Sequence, residues 1–471
     1  MTPEEFRAAG HELVDWIADF RATIGDRPVE APVAPGDVRG SMSPTPPVGP
    51  GDFGSLLAEV DRVVMPGMTH AQHPRYFGFF PANVSLSSTL GDLMSTGLGA
   101  LGISWQSSPA LTEVEEVVCD WMRQLVGLSD AWHGTINDTA STSALVALLC
   151  ARERATGSSQ LRGGLQAEAA ALRVYASPQS HSSVQKAALL AGYGLDNVVW
   201  VDVDGRNDLD PEALRRAIDT DIAAGRVPAA VIASVGSTTC TAIDPVAAIV
   251  EVCAPYGVWV HVDAAMAGTA MLVPELRGLW DGVEGADSIS WNPHKWMGAA
   301  LDCSMYLVRD VDALVGTMST NASYLASTQD GAVTQYRDWG LPLGRRFRAL
   351  KLWFQLGLDG VGSIQERVRR DLANAAWLAE VVAATPQWTV VAPVRLQTVC
   401  VRHEPAGLAD DALDHHTLAW ARAVNRSGAA YLTPARLDGG WMVRVSIGAE
   451  STTRADVEAV WAAMRSAAEE S

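Results

Sequence analysis

Phe6, Ala9, Leu13, Ile17 and Phe20 recur at helical spacing behind Thr2-Pro3-Glu4-Glu5, which supplies a cap, a first-position proline and acids for the first turn. The chain is therefore expected to open on an amphipathic helix whose apolar face needs a partner surface. Residues 28–50 hold seven prolines and read as an extended connector. A helical pattern resumes over 56–65, and residues 86–96 also read as helix.

From about residue 111 helices alternate with short β-rich runs. Residues 111–126 and 145–154 read as helices. Residues 172–176, 198–203, 229–235, 258–262 and 305–308 read as strands. Near-continuous apolar strands separated by helices predict an α/β fold, with a mostly parallel sheet covered on both faces. In such sheets ligands gather at the carboxyl ends of the strands. After about residue 350 the texture becomes mixed, with helices over 350–384 and 410–425, strands near 397–402 and 441–447, and a last helix over 454–468 capped by Thr453 with Asp456. Three segments are expected: an N-terminal helical dimerisation segment (1–80), a large domain (81–350) and a smaller α+β domain (351–471).

Composition is that of a globular chain, 48% hydrophobic and 19% charged. A formal net charge of −19 argues against nucleic acid and anionic membranes as partners. It also requires that any bound phosphate be held locally, by amides and hydroxyls. No apolar run is long enough for a membrane span, and the acidic N-terminus does not read as a secretory signal. Six scattered cysteines without CxxC spacing read as reduced core residues of a cytoplasmic protein. The histidines show no metal-ligand spacing, so no metal is expected, and His415-His416 reads as surface. Gly97-Leu98-Gly99-Ala100-Leu101-Gly102 has the letters of a dinucleotide loop but follows a helix rather than a strand, so that reading fails.

The chemistry gathers elsewhere. Asp263 ends the apolar run 258–262, and Lys295 lies in the Trp-flanked Asn292-Pro293-His294-Lys295-Trp296. A lysine that can bond an aldehyde and a carboxylate that can keep a ring nitrogen protonated are what pyridoxal phosphate requires. The hydroxyl-rich Asp138-Thr139-Ala140-Ser141-Thr142-Ser143 precedes an apolar helix expected from about Ala144, a setting for a phosphate. His181 follows the strand 172–176, where an imidazole can stack on a flat ring. Thr238 lies in the Gly236-Ser237-Thr238-Thr239-Cys240 loop after another strand. Tyr336, in a Gly-bearing stretch (319–340) that reads as mobile, is a candidate proton donor.

These motifs, with HPRYFGFFPAN, SWQSSPALTEVE, SHSSVQKA, GSTTC, HVDAA, NPHKW and YRDWGLPLGRRFRALKLW in order from His73 to Trp353, resemble the group II pyridoxal-phosphate-dependent decarboxylases, in the aromatic-L-amino-acid decarboxylase branch. The resemblance implies a fold-type I (aspartate aminotransferase-like) homodimer with its active site at the subunit interface. It implies pyridoxal 5′-phosphate as cofactor, Lys295 as the Schiff-base lysine and Asp263 as the partner of the pyridine nitrogen. His181 would stack on the ring, with Thr238 and Ala265 among its other contacts. Thr139, Ala140, Ser141, Asn292 and His294 correspond to phosphate-binding positions, and Tyr336 to a loop tyrosine that returns a proton to the α-carbon from the neighbouring subunit.

Phe79, Phe80, Pro81, Leu101, Ile103 and Trp105 are expected to line the side-chain pocket. Ile103 stands where animal members often have an aromatic residue, and Phe79 where a tyrosine is common. The smaller Ile103 leaves room for a bicyclic ring, which favours tryptophan over tyrosine, phenylalanine or DOPA. An aromatic aldehyde synthase on the same scaffold is the nearest alternative, and a non-catalytic binding protein one of a different class. Retention of Tyr336, His181, Lys295 and Asp263 favours the decarboxylase.

Overall fold

A seven-stranded sheet organises the larger of two compact units, Ala82–Ala375 with Ala392–Thr398. The computed structural model describes residues 1–80, 83–320 and 331–471. The strands are β1 (His133–Asn137), β2 (Leu172–Ala176), β3 (Val198–Trp200), β4 (Val227–Ser234), β5 (Trp259–Asp263), β6 (Ser288–Trp291) and β7 (Ser304–Val308), in the order β1-β7-β6-β5-β4-β2-β3. β7 runs antiparallel to both neighbours, and the other adjacent pairs are parallel. This is the α/β, mostly parallel architecture expected of fold type I.

The apolar runs became strands because both faces of the sheet are covered. Helix Ala140–Thr156 lies against it and buries Ala144, Ala147, Leu148 and Ala151 with Val174 of β2 and Ala230 and Ile232 of β4. That helix starts four residues earlier than expected, with Thr139 as N-cap and Gly157 closing it at φ +60°. Ser and Thr in a first turn look like loop in a sequence, yet the amides there have no helical acceptors to lose. β1 and β6 were not expected at all. Their sequences, HGTIN and SISW, are short and half polar, and pairing on both sides of β7 is what makes them strands. All six cysteines are free and buried.

The second unit comprises Met1–Pro81, Ala376–Val391 and Val399–Ser471. Its sheet holds β8 (Trp388–Val390), β9 (Thr398–His403), β10 (Thr433–Leu437) and β11 (Gly440–Ser446), in the order β10-β11-β9-β8. Helices Pro3–Thr23 and Arg454–Glu469 both start on the capping boxes legible in the sequence, Thr2 with Glu5 and Thr453 with Asp456. The first helix buries none of its residues, and Phe6 and Leu13 remain exposed.

One surface assignment is corrected. His415 is exposed, but His416 is buried with its Nε2 2.8 Å from Nδ1 of His403. On helix Asp410–Arg426 it shares the face of the buried Thr417, Trp420 and Val424, which a polar composition conceals. Among the described residues no helix is long and apolar enough to cross a membrane.

Candidate active site

The parallel strands of the large sheet share one carboxyl edge, and the expected chemistry leaves the sheet there. His181 follows β2, loop 236–240 follows β4, Asp263 ends β5, Asn292 to Lys295 follow β6, and Thr139 to Ser141 follow β1. Asn137 of β1 pairs with Ser304, and Trp291 of β6 with Met305. The exits of β1 and β6 are thus two strand spacings apart, about 10 Å.

Lys295 is half-buried in a tight turn whose amide donates to the Asn292 carbonyl at 3.0 Å. Its own carbonyl accepts from the Gly298 amide at 3.2 Å and from the Asn83 side chain at 3.4 Å. Next to it the fully buried Trp296 donates its indole N–H to Asp371 at 2.9 Å. Arg367 donates to the carbonyls of Trp296 and Met297 at 2.8 and 2.6 Å. Burial pushes the Asp371 carboxyl up to about 6. A rigid turn therefore carries the flexible amine.

Asp263 Oδ1 accepts from the Ala265 amide at 3.0 Å and from the Ser290 hydroxyl at 3.4 Å. Ser290 is its register partner on β6. Both bonds fall on Oδ1, which leaves Oδ2 for a ligand. Two residues back on the same strand face, His261 is wholly buried with Nδ1 2.8 Å from the Ser288 hydroxyl. Burial holds that imidazole down to about 4, so it is neutral.

His181 accepts the Ser183 amide on Nδ1 at 3.2 Å, so its neutral ring carries the proton on Nε2. The ring is accessible yet recessed. Burial in the recess lowers its proton affinity, and the charges of Asp263 and Lys295 act on it in opposite senses. That shared field brings the three residues to one recess. Thr238 is exposed in the loop after β4. Gly236 stands there at φ +81°, where a Cβ would lie 2.7 Å from that of Ala267. The base of the loop is pinned by the buried Asp244, which accepts the Ser234 and Leu209 amides at 2.7 and 2.8 Å.

The remaining donors suit a phosphate. Thr139 is the N-cap of helix Ala140–Thr156 but makes no side-chain cap bond, and the amides of Ala140 and Ser141 have no acceptor within the helix. His294 accepts the Cys303 amide on Nδ1 at 3.0 Å, which puts its proton on Nε2, and burial followed by the Lys295 charge holds it down to about 4. Asn292 Oδ1 is buried with no hydrogen-bond partner, and turning that amide would present its N–H donors instead. Together with an amine and a carboxylate, these groups fit pyridoxal 5′-phosphate.

Tyr336 is not brought to this recess. Expected on a mobile loop, it is buried in the core of its own chain, packed edge-on to Trp339. Burial raises its hydroxyl well above the ordinary value, with the carboxylates of Glu115 and Glu116 adding to the rise and Arg345 opposing it. Residues 321–330 of that stretch lie outside the described residues.

Leu101, Ile103 and Trp105 are tied to the segment carrying Tyr336. The Arg337 amide donates to the Ile103 carbonyl at 2.8 Å, the Trp105 amide to the Gln335 side chain at 3.3 Å, and Leu101 bridges to Arg346. Leu101 is exposed, and Ile103 and Trp105 are half-buried. Phe79 and Phe80 belong to the other unit, where Phe79 is exposed and its amide donates to the Thr433 hydroxyl at 2.8 Å. Pro81 lies outside the described residues. Ser183 and Ser290, which orient His181 and Asp263, were not foreseen. The signal for Ser290 was its alternation with Ser288 on a strand the sequence did not reveal.

The profile of the pyridoxal-dependent decarboxylase conserved domain matches residues 35–404. The chain is 37% identical to tryptophan decarboxylase TDC2 of Camptotheca acuminata, over 100% of this chain and 95% of that one. It is equally 37% identical to phenylacetaldehyde synthase of Arabidopsis thaliana, over 98% and 95%. The crystal structure of Oryza sativa TDC with PLP and tryptamine superposes with a TM-score of 0.96 at 34% identity, covering 100% of this chain and 99% of that one.

Proposed function

The chain belongs to the pyridoxal-dependent decarboxylase family, a carboxy-lyase with pyridoxal 5′-phosphate as cofactor, and from that premise we propose that it decarboxylates an aromatic L-amino acid, tryptophan in preference, to the arylalkylamine and CO2. The observation that carries this reading is that Lys295, Asp263 and His181 leave the sheet at one carboxyl edge, at the ends of β6, β5 and β2. The tryptophan decarboxylase relatives and the half-buried aliphatic Ile103 support the bicyclic substrate.

When bound, pyridoxal phosphate supplies an aldehyde that bonds the substrate amine and a protonated ring that accepts the electrons of the broken Cα–carboxylate bond. Lys295 would hold the cofactor through Nζ. Asp263, with Oδ1 engaged, keeps a proton on the ring nitrogen through Oδ2. His181 would lie over the ring, with Nε2–H left to donate to the substrate carboxylate. The amides of Ala140 and Ser141, the hydroxyls of Thr139 and Ser141, Asn292 and His294 hold the phosphate, while Thr238 and Ala265 pack on the ring. Ile103, Leu101 and Trp105 shape the pocket.

A homodimer completes this reading. Helix Leu86–Gly97 is turned inside out: Ser87, Ser88, Gly91 and Ser95 are buried, while Leu86, Leu90, Leu93 and Met94 are exposed. The inner face is small because a Cβ on Gly91 would lie 2.5 Å from the Leu350 carbonyl oxygen. A leucine stripe left outward at helical spacing suits a second copy of the chain.

The phenylacetaldehyde synthase relative favours a second reading, in which decarboxylation is coupled to oxidation by O2. Both are tested by offering tryptophan, tyrosine, phenylalanine and DOPA separately to the holoenzyme and quantifying CO2, amine, aldehyde and H2O2. Equal amine and CO2, fastest with tryptophan, is the expected result. Aldehyde with H2O2 would establish the synthase.

A further inference from the structure

Lys351 is the largest charged side chain wholly removed from solvent, and a buried ammonium without partners costs several kcal/mol. Two of its donors meet the carbonyls of Ala300 and Asp302 at 3.1 and 3.0 Å, and Asp92 Oδ1 balances its charge in an ion pair at 3.0 Å. The loop it holds is braced on two more sides. The Ala300 amide donates to the Ser88 hydroxyl at 2.7 Å, and Arg348 grips the Asp302 carboxylate at 2.8 and 3.2 Å. One residue further on, the Cys303 amide donates to His294 Nδ1 at 3.0 Å, while the Cys303 carbonyl accepts the His294 amide at 3.3 Å. The loop 299–303 therefore doubles back to fix the ring beside Lys295.

We propose that Lys351 is a positioning residue for the cofactor phosphate: by holding the carbonyls of Ala300 and Asp302 it keeps the Cys303 amide on Nδ1 of His294, so that the ring presents Nε2–H to the phosphate. An apolar side chain of similar volume would fill the space but leave two carbonyls without donors and the loop free to swing. The ammonium charge also acts on His294 against its protonation, which keeps the Nδ1 lone pair available to Cys303. The proposal rests on His294 being a phosphate ligand, as read above.

The test is a double-mutant cycle on the dissociation constant of pyridoxal phosphate, measured by titrating the cofactor back into stripped full-length protein. Lys351→Met and His294→Asn are each expected to weaken binding about tenfold, whereas the double variant is expected within about twofold of His294→Asn alone. Thermal stability, followed on the same samples, is expected to fall with Lys351→Met equally in both backgrounds. An equal loss of cofactor affinity in both backgrounds would overturn the role of Lys351 and leave His294 as a ligand. Unchanged affinity in His294→Asn would overturn the phosphate reading of His294 and the proposal with it. If Lys351→Met does not fold, Lys351→Gln takes its place in the cycle, since it retains two donors for the carbonyls. It is expected to bind the cofactor within about threefold of wild type. A tenfold loss repeated in the His294→Asn background would overturn the proposal.

Discussion

The Tyr336 hydroxyl lies 3.5 Å from the carbonyl oxygen of Gly134, the second residue of β1, and so away from the carboxyl edge where that strand ends at Asn137. A cavity of about 180 Å³ lined by Glu116, Cys119, Thr334 and Trp339 adjoins it. A phenol held there anchors its segment to the core instead of reaching the α-carbon of a substrate near Lys295. Tyr336→Phe is therefore expected to keep the amine product, with a rate within about threefold of wild type and a stability loss of about 1 kcal/mol. Tyr324, the other tyrosine between 319 and 340, lies outside the described residues. Tyr324→Phe is expected to slow amine formation about tenfold or more and to raise the aldehyde fraction. Side-by-side product analysis decides between them, and aldehyde from Tyr336→Phe would restore the role first read from the sequence.

Lys295→Ala is expected to lose its cofactor on desalting, seen as loss of the bound chromophore, and to decarboxylate about 10³-fold more slowly or worse. Near-normal turnover would remove Lys295 from the chemistry.

Ile103→Phe should narrow the pocket. The ratio of kcat/KM for tryptophan over phenylalanine is expected to fall about tenfold or more. An unchanged ratio would mean that Ile103 does not face the substrate.

The leucine stripe predicts its own test. Leu90→Asp with Leu93→Asp puts two charges on the outward face of helix Leu86–Gly97 and spares its small inner face. Light scattering after size exclusion should then report a monomer where the wild type is a dimer. A dimer that survives both charges would place the interface elsewhere.

His403 and His416 make stability depend on pH. Burial holds both below the ordinary value of 6.5, with the charge of His416 adding to the effect on His403. The unfolded chain therefore binds protons that the folded chain refuses, so stability falls as pH drops below about 6.5 and is level above it. Between about pH 7.5 and 5.5, His416→Gln is expected to lose less in Tm than wild type, because one proton-binding site is gone. An identical slope would mean that the pair does not contribute.

Local order was legible where a segment's own chemistry dictated it. The capping boxes at Thr2 and Thr453, the apolar strands β2, β4 and β5, and the turn from Asn292 to Trp296 needed no partner to declare themselves. The carboxyl-edge rule then placed Asp263, His181 and the loop with Thr238 at one edge. Tertiary structure decided what depends on neighbours. β1 is a strand because β7 pairs with it, β6 because β7 and β5 flank it, and Ser290 reaches Asp263 only through the β5–β6 pairing. His416 is buried by the sheet its helix covers, and Tyr336 by the residues around Gly134. Lys351 reads as a surface lysine until two carbonyls and the Asp92 carboxylate, from distant segments, close around it. A sequence fixes periodicity, caps and intrinsic chemistry because these act within a few residues, whereas burial and hydrogen-bond partnership are set by atoms far away along the chain.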